Sequence, residues 1–301
     1  MISIMSVEAG VQEPSSGVAP ARTPCLVCGG ALGASKLPGL LRCTRCGFVT
    51  ANLSISDEAL KALYGEDYFH GNEYLDYQAE EQSLRANFRD RIRTLQRVVP
   101  RLSEAELFEI GCAYGYFLAE VAAGVRAAAG IDISDDAVAA AREKRNVDAV
   151  CGDYLGHRLP RQVDIIALWD TVEHLKRPDL FIAKAAADLK PGGHIALTTG
   201  DIDSLNARLR GGNWRMIHPP THLHYFSVAT LGALLERHGF EIVHASHPGN
   251  SRNLRSILYY VLALRLKFHR LYEALKGNPL LDFRITVNLF DIMFVVARKK
   301  A

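Results

Sequence analysis

Apolar positions recur along this chain with two periods that take turns. Short apolar runs near 106–110, 127–132, 147–150, 163–169 and 193–199 predict strands. Between them, residues 115–124, 134–145 and 178–189 carry the spacing of helices. Strand and helix in alternation imply a parallel sheet covered on both faces. Upstream, Leu84, Phe88, Ile92, Leu95 and Val99 share one helical face within 78–99, and Pro100 ends that run. Later the pattern loosens. A helix near 227–238 closes at Gly239, a strand follows to about 246, a long amphipathic helix covers 254–275, and the apolar run 291–297 reads as a last strand. A late strand returning beside an earlier one gives the sheet an antiparallel edge.

Composition narrows the class. With 301 residues, 49% of them hydrophobic, the chain can bury one large core plus a small accessory module. A formal charge of +2, with no long run of like charges, excludes a nucleic-acid binder of the usual basic kind. No basic start followed by a long apolar stretch opens the chain, and no apolar segment is long enough to span a bilayer, so a soluble cytoplasmic protein without stable membrane insertion is expected. Residues 1–22 read as a disordered tail, 23–52 as a cysteine-bearing module, 53–100 as a connector or lid followed by a helix, and 101–301 as the main domain with a helical insertion near 250–285. The connector is dense in aromatics: Tyr64, Tyr68, Phe69, Tyr74 and Tyr77.

Cys25-Leu-Val-Cys28 and Cys43-Thr-Arg-Cys46 are two C-x-x-C pairs separated by fourteen residues, each followed by glycine, the spacing of a zinc ribbon. Four sulfurs satisfy tetrahedral zinc and leave no position for water, so such a site is structural. A disulfide pair is the competing reading.

The most informative run is Leu107-Phe-Glu-Ile-Gly-Cys-Ala-Tyr-Gly-Tyr-Phe-Leu118, a strand ending in an acid and two glycines four apart, with a helix after them. A dinucleotide loop wants G-x-G-x-x-G; this is E-x-G-x-x-x-G, without a third glycine or a P-loop lysine. Twenty-one residues beyond Gly111 stands Asp132, placed to accept both hydroxyls of a ribose, with Ser134 as the cap of the next helix. Twenty-one further stands Asp153, at an edge where an acid can hold an exocyclic amine. The fourth strand runs Val163-Asp-Ile-Ile-Ala-Leu-Trp-Asp170 and the fifth is announced by Leu189-Lys-Pro-Gly-Gly.

In order and spacing this set resembles the class I S-adenosylmethionine-dependent methyltransferases over residues 104–246. The resemblance implies an α/β fold: a Rossmann-like, seven-stranded, mostly parallel sheet with one antiparallel strand and helices on both faces, here with the small ribbon in front. It also implies S-adenosylmethionine as cofactor, Glu109 and Gly111 near its methionine portion, and Trp169 and Asp170 lining its far side. Cys112, Gly115, Ile133 and Tyr154, beside these positions, complete the expected cofactor set. An Asn/Asp-Pro-Pro-aromatic run, used for methylating exocyclic amines of bases, is replaced by Asp170-Thr-Val-Glu173.

Two clusters compete for acid-base work. Asp170, Glu173 and His174 stand where the ubiquinone-pathway O-methyltransferases can bind a divalent ion; many relatives keep Glu-His without metal, and magnesium at Glu173 and His174 is the lesser alternative to a positioning or base role for His174. The second is His218-Pro-Pro-Thr-His222-Leu-His224-Tyr-Phe-Ser227, with three of the eleven histidines inside seven residues. It resembles a methyltransferase branch that carries amino-terminal zinc ribbons and includes sugar C-methyltransferases. An imidazole of ordinary pKa suits a general base at neutral pH, so His222 or His224 is the expected base, with Tyr225 assisting; the competing reading is a loop packed by Tyr225 and Phe226. From 252 to 301 ten Lys or Arg stand against three acids, compatible with touching anionic lipid, with guiding a phosphate-bearing acceptor or, the favoured reading, with solvated arginines on a packed helix. The expected function is methylation of a small hydroxylated acceptor, on oxygen first and carbon next: a sugar, which a nucleotide can carry, a polysaccharide precursor or a natural-product intermediate, with a homodimer compatible. RNA methylation, and a regulatory protein that binds S-adenosylmethionine without transfer, are the rivals.

Overall fold

The computed structural model describes residues 11–12, 24–56, 80–259, 261–262, 266–278, 281 and 283–300. The aromatic connector and most of the amino-terminal tail lie outside the described residues. Within the tail, Val11–Gln12 pairs antiparallel with Ser54–Ile55.

The strands expected from apolar runs form one seven-stranded sheet. Its order is Phe240–Ser246, Ile292–Lys299, Leu189–Gly200, Val163–Trp169, Glu106–Ile110, Ala127–Asp132 and Asp148–Cys151. Ile292–Lys299 runs antiparallel to both of its neighbours, and the remaining pairs are parallel. The antiparallel strand is therefore not at the edge, as expected, but second from it. Its residues Met293 to Ala297 are fully buried because sheet and helices cover both of its faces. The Lys-Pro-Gly-Gly turn is likewise absorbed into a strand, with a register shift between Leu189 and His194.

Alternation along the strands sorts the core into two layers. Ile166, Leu168, Leu197 and Val295 pack with Ile182, Leu231 and Leu234 on one face. Ile165, Ala167, Ala196 and Phe294 pack with Leu95, Phe117 and Ala141 on the other. The helix Glu81–Val98 turns its apolar stripe into this second layer, but the buried face also carries Asn87 and Arg91.

The carboxyl-terminal third corrects the expectation of one long helix over 254–275. Helix Leu254–Leu258 and helix His269–Leu275 are separate pieces. Between them Lys267 adopts φ +60, and the Phe268 amide turns back to the Leu262 carbonyl, which no continuous helix permits. A hairpin of Asn250–Asn253 with Arg284–Val287 closes the excursion, and Asn87 ties it to the first helix by exchanging hydrogen bonds with the Ser251 backbone at 2.6 and 3.3 Å.

At the start of the antiparallel strand, Asp291 is 2% exposed and accepts from Trp214 Nε1 (2.9 Å), Asn206 Nδ2 (2.7 Å) and Arg215 (3.0 Å). It thereby ties down the segment 201–217. Desolvation opposes its charge, yet Arg215, Trp214 and Asn206 hold its pKa below the ordinary 3.8. The folded state then binds fewer protons than the unfolded chain, so this contribution is complete above pH 3.8 and lost as pH falls through the depressed value. Asp291→Ala leaves the buried Trp214 Nε1 and the half-buried Asn206 amide without their acceptor, frees the more exposed Arg215, and is expected to cost about 1–3 kcal/mol in urea unfolding. Asp291→Asn is expected to flatten the acid limb of the stability curve.

The ribbon is not a free appendage. Leu32–Ala34, Leu40–Cys43 and Val49–Ala51 form its strands, and the fourth strand of that sheet, His224–Tyr225, comes from the main domain. Cys25, Val27, Cys43 and Phe48 join the same core layer as Phe226 and Leu231. Arg237 on the helix Val228–Arg237 donates to the Leu26 carbonyl at 3.0 Å.

Candidate active site

Parallel strands ending side by side bring Gly111, Asp132 and Asp170 to one edge of the sheet, the binding edge of open α/β folds. The segment after Ile110 is fastened to the neighbouring strand. Gly111 and Cys112 amides donate to the Ile131 carbonyl, the Ala113 amide donates to Asp132 Oδ2 (2.8 Å), and the Ser134 amide to Asp132 Oδ1 (2.9 Å). Asp132 thus shapes the glycine loop as well as facing the expected ribose position; each oxygen keeps further accepting capacity. Burial raises its pKa, against the lowering effect of these amides. Ser134 caps the helix Asp135–Arg145, as expected.

Gly111 sits at φ +79, and a Cβ there would lie 2.7 Å from Thr171 Oγ1. Gly115 sits at φ +73, with Val147 Cγ2 2.8 Å from its would-be Cβ. The first glycine therefore lets the cofactor loop approach the segment following the fourth strand, and the second lets the helix Tyr116–Val121 seat closely.

Glu109 is 2% exposed, and its Oε2 has no hydrogen-bond partner among the described residues. Burial, then the charge of Asp132, raise its pKa well above the ordinary carboxylate value, against Arg91. A buried carboxyl with an open oxygen fits an incoming ammonium group such as that of a methionine moiety. Together with the tight loop and the acid after the second strand, the residues present fit S-adenosylmethionine.

The remaining expected cofactor residues separate into two groups. Ile133, 37% exposed, stands at the rim beside Asp132, and exposed Asp153 accepts from its own Leu155 amide at 3.1 Å. Cys112, Tyr154 and Trp169 are buried. The Tyr154 hydroxyl donates to Asp188 at 2.8 Å, which commits its side chain to the core and leaves its backbone at the edge. Trp169 lies between Phe117 and Phe294 with the Arg91 guanidinium 5.2 Å above its ring. Asp170, at φ +48, accepts from Thr198 Oγ1 (2.9 Å) and Arg91 (3.1 Å). Arg91 was missed from the sequence, although a charged residue on the stripe of Phe88, Ile92 and Leu95 was a readable signal.

The two histidine clusters meet. Leu223 and His224 amides donate to the Glu173 carbonyl at 2.9 and 3.1 Å, which sets the late loop against the exit of the fourth strand. His174 and His222 rings stand 4.5 Å apart and those of His218 and His222 3.9 Å. Nδ1 of His174 donates to the Thr221 carbonyl and Nδ1 of His222 to that of Met216. Burial lowers the pKa of His174 to about 4 and that of His222 well below 6.5, so both rings are neutral at pH 7. His224 is turned elsewhere. Its Nδ1 donates to Thr50 Oγ1 of the ribbon at 3.0 Å, its ring lies against Phe48 and Phe226, and burial lowers it to about 4. Tyr225 donates to the His222 carbonyl at 2.9 Å, and burial pushes its hydroxyl pKa up, so it braces the loop.

In the ribbon, Cys25 and Cys46 sulfurs are 3.6 Å apart and those of Cys28 and Cys43 3.5 Å, all four within 4.8 Å of one another. Four converging thiols are a donor set that fits tetrahedral zinc.

Comparison with known proteins points to the methyltransferases. A family described as "Methyltransferase domain" matches residues 83–245. A "Probable S-adenosylmethionine-dependent methyltransferase" of Mycolicibacterium smegmatis is 28% identical over 149 residues, 49% of this chain and 56% of the relative. A "Ubiquinone biosynthesis O-methyltransferase" of Nitrosomonas europaea is 28% identical over 116 residues, 36% of this chain and 49% of that one. The chain thus spans about half the length of the curated relatives it matches. Among solved structures, magnesium protoporphyrin IX methyltransferase from Synechocystis PCC 6803 with bound SAH superposes with a TM-score of 0.53 at 13% identity, over 81% of this chain and 100% of that one, which speaks for the fold. Among the described residues, no helix is long and apolar enough to cross a membrane.

Proposed function

Because this chain belongs to the methyltransferase-domain family, we propose that it transfers a methyl group from S-adenosylmethionine to a hydroxyl oxygen of a small acceptor. The observation that carries the oxygen assignment is the group of neutral imidazoles around His222, beside the Thr171 segment that touches Gly111. When bound, the cofactor supplies a methyl group on a good leaving group. The protein's work is then positional: Glu109, Asp132 and the glycine loop hold the donor, and the late loop holds the acceptor in line with it. A hydroxyl must lose its proton as it attacks, and an imidazole of the His174, His218 and His222 group accepts it. The name of the Nitrosomonas relative supports oxygen over carbon. Within this reading the acceptor is a sugar, in nucleotide-linked form, or a natural-product intermediate.

The four ribbon cysteines hold zinc in this reading, and the ribbon's task is to seat the acceptor loop rather than to bind RNA. Its strand Val49–Ala51 is already paired with His224–Tyr225. The test is methyl transfer from labelled donor to a panel of nucleotide-linked sugars, phenols and RNA. On the acceptor found, His222→Ala is expected to lower kcat about 100-fold or more, with S-adenosylhomocysteine affinity kept. Transfer to RNA alone would contradict the reading, and donor binding without transfer to any acceptor would favour a regulatory protein.

A further inference from the structure

Exposed apolar side chains are not spread evenly over this molecule. Nine of the thirteen exposed large hydrophobics among the described residues lie in two connections, 201–217 and 250–290. Leu205, Leu209, Phe283 and Phe290 are 65% to 78% exposed, and Phe268 and Leu271 also stand clear of the core. Both connections leave the same edge of the sheet. The first follows the carboxyl end of Leu189–Gly200; the second joins the carboxyl end of Phe240–Ser246 to the start of Ile292–Lys299, which runs antiparallel to both. That edge also carries Gly111 and Asp170, and the two connections occupy the half of it away from Asp132. Their bases are stitched together. The Asp201 amide donates to the Asp291 carbonyl (2.8 Å), His247 Nε2 to Asp201 Oδ2 (2.8 Å), and Asn288 Nδ2 to the His247 carbonyl (2.9 Å). The two connections are therefore held as one platform.

Charge is concentrated on the same platform. Residues 250–290 hold seven Lys or Arg against two acids, a net +5 in a chain whose total is +2, so the remainder is −3. Cations and apolar side chains are neighbours there: Leu209 stands between Arg208 and Arg210, Phe268 follows Lys267, Leu271 follows Arg270, and Phe283 precedes Arg284. Exposed Lys267 and Arg270 have no acidic partner among the described residues. The break in the expected long helix produces this mixture, because the turn at Lys267, φ +60, leaves Phe268 and Leu271 at the surface instead of on a packed face.

We propose that this platform docks the protein on the surface of a bilayer that bears anionic headgroups. A protein interface gathers apolar residues into a dry centre from which charge is depleted. A bilayer surface asks for the mixture seen here: Phe and Leu enter the headgroup boundary while adjacent cations meet lipid phosphates. The contact is peripheral, since the apolar residues come from turns and from helices of 5, 6 and 7 residues, too short to span hydrocarbon. The platform stands on charge and exposure alone, independent of the methyl-transfer reading.

The experiment is sedimentation of the full chain with vesicles of phosphatidylcholine alone and of phosphatidylcholine with about one-third phosphatidylglycerol. The expected result is binding to the anionic vesicles at least about tenfold tighter than to the neutral ones, weakening as salt is raised. Lys267→Glu combined with Arg270→Glu lowers that binding at least about tenfold, and Leu209→Ser combined with Phe268→Ser lowers it about fivefold. An unchanged urea midpoint, expected for exposed positions, shows that both double variants keep the fold. Sedimentation with neither vesicle, equal binding to both, or anionic binding that either double variant keeps would overturn the platform. A dimer in vesicle-free solution that Leu209→Ser combined with Phe268→Ser dissociates would overturn it too, by assigning the face to a second copy of this chain.

Discussion

Cys43→Ser is expected to release the zinc proposed for the ribbon and to suppress the proposed methyl transfer while the chain still binds S-adenosylhomocysteine. The expectation follows from where the ribbon's contacts go. Thr50 donates to the Leu223 carbonyl at 3.0 Å, the Ala51 amide donates to the same carbonyl at 2.8 Å, and Thr50 receives His224. Each of these bonds ends on the loop that carries His222. A structural zinc site contributes about 10–16 kcal/mol of apparent binding energy to a module of this kind, so losing it unfolds the ribbon and frees the loop. The cofactor loop is fastened by bonds of its own, through Ile131 and Asp132, on the other side of Glu109. We expect turnover to fall about 100-fold or more and S-adenosylhomocysteine affinity to change by less than about threefold, the first being the loss typical of a misplaced catalytic group. Calorimetry and turnover on the same preparation check both halves, and an equal loss of binding and turnover would contradict the division of labour.

Gly111→Ala is expected to have the opposite signature. The left-handed conformation costs a side-chain-bearing residue about 1–2 kcal/mol, and the new methyl would stand 2.7 Å from Thr171 Oγ1 and 2.9 Å from its Cγ2. Thr171 cannot easily yield, because it is β-branched and its hydroxyl donates to the Trp169 carbonyl at 3.0 Å. Either the cofactor loop or the fourth-strand exit must shift. S-adenosylhomocysteine binding should weaken roughly 30- to 100-fold, equivalent to about 2–3 kcal/mol. Gly124→Ala is the control, since no atom lies within 4 Å of its would-be Cβ and its φ is not positive; binding should be unchanged there.

Much of this was readable in the sequence because it depends on local periodicity. Glu106–Ile110, Ala127–Asp132 and Val163–Trp169 are apolar runs bounded by turn residues, and they lie where the pattern puts them. The acids that follow inherit their place at the binding edge from those strands. What was hidden depends on partners distant in the chain. The strand Asn250–Asn253 has no apolar alternation, and it exists by pairing with Arg284–Val287. The place of Ile292–Lys299 inside the sheet, rather than at its edge, is a matter of long-range pairing that a single apolar run cannot announce. The histidines show the same limit at the scale of the site. His222 and His224 look alike in sequence, and it is Thr50, far upstream, that draws one to the ribbon and leaves the other beside His174.

The most direct test of cofactor binding is titration calorimetry of the full chain with S-adenosylmethionine, S-adenosylhomocysteine and NAD, repeated on Asp132→Ala. Binding of the two sulfur compounds with roughly micromolar affinity, no heat with NAD, and loss of binding in the variant is the predicted result, since Asp132 both shapes the glycine loop and faces the ribose. Preference for NAD, or no binding of either sulfur compound, would contradict it.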